Sequence, residues 1–233
     1  MSLFRNLKLH WRRWRDLQTM KLDGVVLTTA PDLVPRSIRS AIFKETYEAH
    51  ERRLAQEILV RGDRVLEVGA GIGLMSLLSA RICGAGNVLA YEANPALEPV
   101  IKANHVLNAF APKVRMRAVT LEGGPLRFFR SDNIVSSSST ARAGAFEEIE
   151  VQSDAIDKVI EEWRPTVVIM DVEGAEIELL SNARLDGVRH IVVETHDHIT
   201  GPDAIDRMIA ALAAKRFRTA KTAHKTVCFS REA

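Results

Sequence analysis

The chain has 233 residues, near the upper end of what one hydrophobic core organises, so a single domain with a short appendage is expected. Hydrophobic residues make up 46% and charged residues 27%, which excludes disorder, and a net charge of +2 gives no ground for a nucleic-acid partner. Only Cys83 and Cys228 occur, far apart and in no ligand spacing; this excludes a disulfide framework and a zinc site and suits a reducing, cytoplasmic setting.

In chain order, residues 3–18 have helical periodicity. Leu3, Phe4, Leu7, Trp11, Trp14 and Leu17 recur mostly every three or four positions among Arg5, Lys8, Arg12, Arg13 and Arg15. The arginines rule out a secretion signal, and no apolar run reaches the length of a membrane span. Such a basic amphipathic helix either packs on its own domain or a second subunit, which allows a homo-oligomer, or lies on an anionic membrane. A short strand is expected over 23–29, a proline-marked turn at Pro31 and Pro35, and helix over 41–60.

Strand and helix then alternate: strand 65–68, helix 74–82, strand 87–91, helix 96–107 and strand 114–119. The middle is irregular, with extended segments at 126–130 and 149–152 around a Ser-rich stretch, 136–140, that reads as a loop. A helix capped by Ser153 through Glu162, a strand at 166–170, a helix at 175–180, a strand at 191–194 and a helix at 202–215 follow, closed by a hairpin over 217–221 and 226–230. The expectation is α/β: a Rossmann-like, doubly wound, mostly parallel seven-stranded sheet with an antiparallel C-terminal hairpin strand. Residues 1–43 form a helical and strand extension, and 44–233 the catalytic domain.

The most informative segment is Val65-Leu66-Glu67-Val68-Gly69-Ala70-Gly71-Ile72-Gly73, a buried strand opening through glycines into a helix. Open α/β sheets hold ligands at such turns, where a side chain would keep the ligand from the backbone. The next strand ends in Glu92, about twenty residues on, where a carboxylate can accept both ribose hydroxyls of a nucleoside. A dinucleotide fingerprint needs its third glycine at position 74, which is Leu74 here. Glu67 would also repel a pyrophosphate but suits an amino acid's ammonium group. S-adenosylmethionine is therefore expected in preference to NAD(P).

These segments resemble the FkbM family of methyltransferases. The resemblance is carried by Thr46-Tyr47-Glu48; the Glu67–Ser76 turn; Tyr91-Glu92-Ala93-Asn94-Pro95; and Asp171-Val172-Glu173-Gly174-Ala175-Glu176 followed by Val193-Glu194. The chain departs at Glu67, Gly71 and Ile169, where the family often has Asp, Asn and Lys. The resemblance implies O-methylation of a sugar, glycolipid or natural product. It also implies cofactor binding by Tyr47, Glu48, Glu67, Gly69, Ala70, Gly71, Gly73, Glu92, Ala93, Asn94 and Asp171.

Methyl transfer to a hydroxyl needs a base within hydrogen-bond reach. Asp171 ends the fourth strand beside the switch point, and His196 is the preferred base because its ordinary pKa near 6.5 suits neutral operation. Glu194, His196 and His198 alternate, so in extended chain they share a face; with Glu173, Glu194 and His198 are assigned to the acceptor. Glu176 reads as a helix-start charge that complements the macrodipole. Asp171, Glu173, Glu194 and His196 permit a divalent metal, but no ligand motif compels one and none is expected. The rivals are an NAD(P)-dependent oxidoreductase and a non-catalytic S-adenosylmethionine-binding scaffold.

Overall fold

The structure, a computed structural model, describes residues 3–131 and 146–232. The N-terminal segment forms α1 (Leu3–Trp14) and an antiparallel hairpin of β1 (Thr19–Leu22) and β2 (Val25–Thr28). Two helices follow, α2 (Arg36–Phe43) and α3 (Ala49–Ile58). The helix expected over 41–60 is therefore interrupted at 44–48, where Glu45 and Glu48 take φ of 63° and 47°. Arg52 fixes the interruption: its guanidinium donates to the Glu45 and Tyr47 carbonyls, both at 2.9 Å, and pairs with Asp23.

The alternating part runs β3 (Val65–Val68), α4 (Leu74–Cys83), β4 (Val88–Tyr91), α5 (Glu98–Asn108), β5 (Lys113–Arg115), β6 (Ala118–Thr120), β7 (Gly124–Ser131) and β8 (Phe146–Ala155). It continues with α6 (Ile156–Trp163), β9 (Val167–Met170), α7 (Glu176–Asn182), β10 (His190–Glu194), α8 (Asp197–Thr200), α9 (Pro202–Ala214), β11 (Phe217–Ala223) and β12 (Thr226–Arg231). Seven strands form one sheet in the order β11-β12-β10-β9-β3-β4-β5. The five from β10 to β5 are parallel, and β12 runs antiparallel to β10 and β11. This is the expected Rossmann-like sheet with its C-terminal hairpin.

The middle differs from the sequence reading. The single strand expected over 114–119 is split, because the Arg117 N–H turns back to the Arg115 carbonyl (2.9 Å). Both arginines then reach Asp154, at 3.1 and 2.8 Å. Beyond the turn, β6 joins β8 and β7 in a separate three-stranded sheet. Ser153 is not a helix cap: it lies in β8, its hydroxyl bonded to the Gly124 carbonyl and the Thr120 hydroxyl, and α6 starts after Ala155. The Ser-rich stretch 136–140 lies outside the described residues.

The central strands are apolar on both faces, as a sheet covered on both sides requires. Val167 and Ile169 join the core under α3, α4 and α5, while Val168 and Met170 join the core under α6, α7 and α9. Burying each such side chain stabilises the fold by about 2 kcal/mol. Met20, Leu22, Val25 and Leu27 of the hairpin belong to the first of these cores. Asn104 of α5 ties the hairpin to the glycine turn, accepting from Thr28 N–H (2.7 Å) and donating to the Ile72 carbonyl (2.8 Å). Cys83 and Cys228 are buried and unbonded to each other. Among the described residues no helix is long and apolar enough to cross a membrane.

Candidate active site at the carboxyl ends of the strands

The parallel register assembles the site. Val68 lies opposite both Tyr91 and Met170, and Met170 opposite Val193. The residues that follow each of these, Gly69, Glu92, Asp171 and Glu194, therefore emerge side by side. Between β3 and β9 the strand order reverses, and α4 and α7 leave on opposite faces, which opens a crevice.

Gly69 has φ of +91°, and the Gly69 and Ala70 N–H groups both donate to the Tyr91 carbonyl at 2.9 Å. Glu92 then closes the turn against β4. Its Oε2 accepts the Gly71 N–H (2.7 Å), and its Oε1 accepts the Asn94 N–H (2.8 Å). Each oxygen keeps a lone pair for a further donor. Burial pushes the Glu92 carboxyl up to about 7, although these N–H bonds oppose the rise. Asn94 is buried and caps the next turn through Ala96 N–H (3.1 Å). Gly73, with φ of +83°, donates to the Ala70 carbonyl (2.8 Å) and starts α4.

The interrupted helix brings Tyr47 and Glu48 over this turn. A Cβ placed on Gly71 would lie 3.0 Å from the Tyr47 hydroxyl and 3.5 Å from a Glu48 oxygen. Burial, Glu48 and Asp171 raise the Tyr47 phenol well above its ordinary range. Burial likewise pushes the Glu48 carboxyl up to about 8. Glu67, 1% exposed, points from β3 toward the same acidic group; burial first, then Glu48 and Glu92, raises it well above the usual carboxylate range. One buried oxygen of Glu48 and one of Glu67 have no hydrogen-bond partner.

Across the crevice, Asp171 Oδ1 lies 3.6 Å and Glu173 Oε2 3.9 Å from His196 Nε2. Burial and Glu194 raise the Asp171 carboxyl well above its ordinary range. Burial also raises Glu194, reinforced by Glu51. His196 is held from behind by Glu176, whose Oε1 lies 3.1 Å from both His196 Nδ1 and its backbone N–H and whose Oε2 accepts Gly174 N–H (2.7 Å). Burial alone would lower the His196 pKa, but Glu176, Asp171 and Glu173 outweigh it and raise it to about 9. These carboxylates thus favour the protonated imidazole. One ligand atom each from Asp171, Glu194 and His196 lies within 4.8 Å of the others, a set able to hold a divalent cation.

Most residues singled out in the sequence converge here: Tyr47, Glu48, Glu67, Gly69, Ala70, Gly71, Gly73, Glu92, Ala93 and Asn94 on the glycine side, and Asp171, Glu173, Glu194 and His196 opposite. His198 does not. The chain leaves the extended form after Thr195 and enters α8 at Asp197, so His196 turns inward while His198 is 54% exposed near Lys225. Glu176 is the residue sequence reasoning missed. It is wholly buried and orients His196, rather than complementing a helix end in solvent.

Sheet order, glycine turn and acidic strand ends together define a Rossmann-like methyltransferase fold. A family model for the methyltransferase FkbM domain matches residues 67–219, and the chain belongs to this family. Methyltransferase sdnD of Sordaria araneosa is 26% identical over 211 residues, covering 73% of this chain and 78% of that protein. Among solved structures, a methyltransferase from Pyrococcus furiosus shares the fold, with a TM-score of 0.51 at 11% identity over 100% of both chains. TYW2 of M. jannaschii, solved in complex with AdoMet, has a TM-score of 0.46 at 15% identity over 92% of this chain and 86% of that one.

Proposed function

We propose that this methyltransferase uses S-adenosylmethionine and methylates a hydroxyl oxygen of a small molecule or glycan. The observation that carries the cofactor is the concentration of buried carboxylates around bare backbone. Glu48 and Glu67 each present an unpartnered buried oxygen, and Glu92 retains acceptor capacity beside Gly71. A pyrophosphate would give these raised carboxyls no opposite charge and would oppose their ionisation, whereas a cationic amino acid joined to a ribose favours it and matches them. This disfavours NAD(P), as does Leu74. Glu92 would take the ribose hydroxyls and Glu67 with Glu48 the ammonium group, under Tyr47.

S-adenosylmethionine, when bound, supplies a methyl group on a sulfonium whose positive charge is lost on transfer. The protein positions the acceptor and removes its proton. His196 is replaced as the preferred base. Its imidazole is buried and protonated at neutral pH, while the Asp171 side chain is 37% exposed in the crevice and its raised pKa makes it a stronger base than an ordinary carboxylate. The acceptor's proton passes to an Asp171 carboxylate oxygen. His196, positioned by Glu176, fixes that carboxylate and balances its charge, and Glu173 and Glu194 border the acceptor. The O-methyl assignment is supported by the family and by this proton acceptor. Incubation with methyl-labelled S-adenosylmethionine and a panel of sugars, glycolipids and polyketides tests the reading. Label recovered as a methyl ether supports it, and label on nitrogen or carbon, or on no hydroxylated acceptor, rejects it.

A further inference from the structure

Surface helices ordinarily turn their apolar stripe to the core and their charges to water. Helix α1 divides its apolar residues: Leu9 packs against the core on the side where Arg12 donates to the Phe43 carbonyl (2.5 Å) and pairs with Glu45 and Arg13 donates to the Ser40 hydroxyl (2.9 Å). Leu7, Trp11 and Trp14 fall within an arc of about 60° on the opposite side and are 60%, 54% and 74% exposed. Lys8 and Arg15, both exposed, lie together along one edge of this apolar face.

Charge identifies what covers it. Residues 1–15 carry five basic side chains and no carboxylate, so the rest of the chain, with 27 basic against 30 acidic residues, is net negative. The basic surplus is thus confined to the segment that exposes the tryptophans. A second copy would bring the same cationic segment against itself. Tryptophan and leucine bordered by cations along one edge match an anionic bilayer surface, where indoles settle at headgroup level and the cations meet lipid phosphates.

We propose that α1 is a membrane-surface anchor that lies flat on anionic lipid, with Leu7, Trp11 and Trp14 inserted and Lys8 and Arg15 at the headgroups. The helix neither spans the bilayer nor takes part in methyl transfer.

The test uses the full chain with vesicles of phosphatidylcholine alone or with about one-third phosphatidylglycerol. The protein is expected to co-sediment with the anionic vesicles, more weakly at high salt. Tryptophan emission should shift to the blue, a change reporting Trp11 and Trp14 because the third tryptophan, Trp163, is fixed by its indole N–H on the Val65 carbonyl (2.9 Å). Trp11→Gln with Trp14→Gln should lower partitioning at least about tenfold while leaving thermal melting unchanged, since both side chains are exposed. Lys8→Glu with Arg15→Glu should do so without touching the apolar face. Absence of vesicle binding, or binding that ignores both double variants, overturns the proposal. So does a dimer that the tryptophan variant dissociates in a protein that ignores vesicles, which would make a second copy the occupant.

Discussion

The carbonyl oxygen of Asp171 occupies the place that a side chain on Gly69 would need: a Cβ built there lies 1.8 Å from it. The glycine turn after β3 and the acidic loop after β9 are thus packed backbone to backbone, and this holds the two halves of the crevice at one separation. Gly69→Ala, at φ of +91°, should destabilise the fold by about 3 kcal/mol or more. Gly71→Ala should cost only about 1–2 kcal/mol, because its φ of +55° is accessible to alanine and its nearest neighbour is the end of the Tyr47 side chain. Thermal melting of the two variants checks the order, and equal losses would mean the contact does not fix the turn.

The cluster of buried carboxylates sets an unusual dependence of stability on pH. Glu48, Glu67 and Glu92 all have folded-state pKa values above their unfolded ones, so the native state binds more protons than the unfolded chain at neutral pH. That stabilisation is complete below the ordinary carboxylate range and is lost as pH rises through about 7 for Glu92 and about 8 for Glu48. His196, raised to about 9, adds to the same trend. The melting temperature of the ligand-free protein should therefore fall as pH rises from about 5 to about 9. A melting temperature that climbs over that interval would contradict the burial of these groups.

Catalysis by an ionised Asp171 next to a protonated His196 has its own pH signature. Turnover should rise as Asp171 loses its proton and fall near pH 9 as His196 loses its own. Glu176→Gln removes the buried charge behind the ring and should move the alkaline limb to lower pH. His196→Ala should abolish that limb and reduce turnover by about a hundredfold, with cofactor affinity intact. An alkaline limb that survives His196→Ala belongs to another group.

What could be read from the sequence was local. Val65–Val68 and Val167–Met170 announce strands buried on both faces, and the spacing from Gly69 to Glu92 is set by one helix and one strand. The features that escaped depend on contacts distant in sequence. Helix stops at 44–48 because Arg52 gathers the Glu45 and Tyr47 carbonyls and pairs with Asp23, and that interruption delivers Tyr47 and Glu48 to the site. Glu176 looks like any acidic helix start until β10 brings His196 against it from twenty residues away. Likewise, helical periodicity showed that α1 is amphipathic but carried no information on which side faces the body; the bonds of Arg12 and Arg13 do.

The most direct measurement is a calorimetric titration of the protein with S-adenosylmethionine at about pH 7, repeated in buffers of different ionisation enthalpy and with NAD in its place. Binding of one molecule per chain, with release of protons as Glu48 ionises against the cation, is predicted, and NAD should give no heat. Glu92→Ala should weaken the binding at least about tenfold. Failure of the wild-type protein to bind S-adenosylmethionine, or tighter binding of NAD, would contradict the reading of the crevice as a site for a cationic nucleoside.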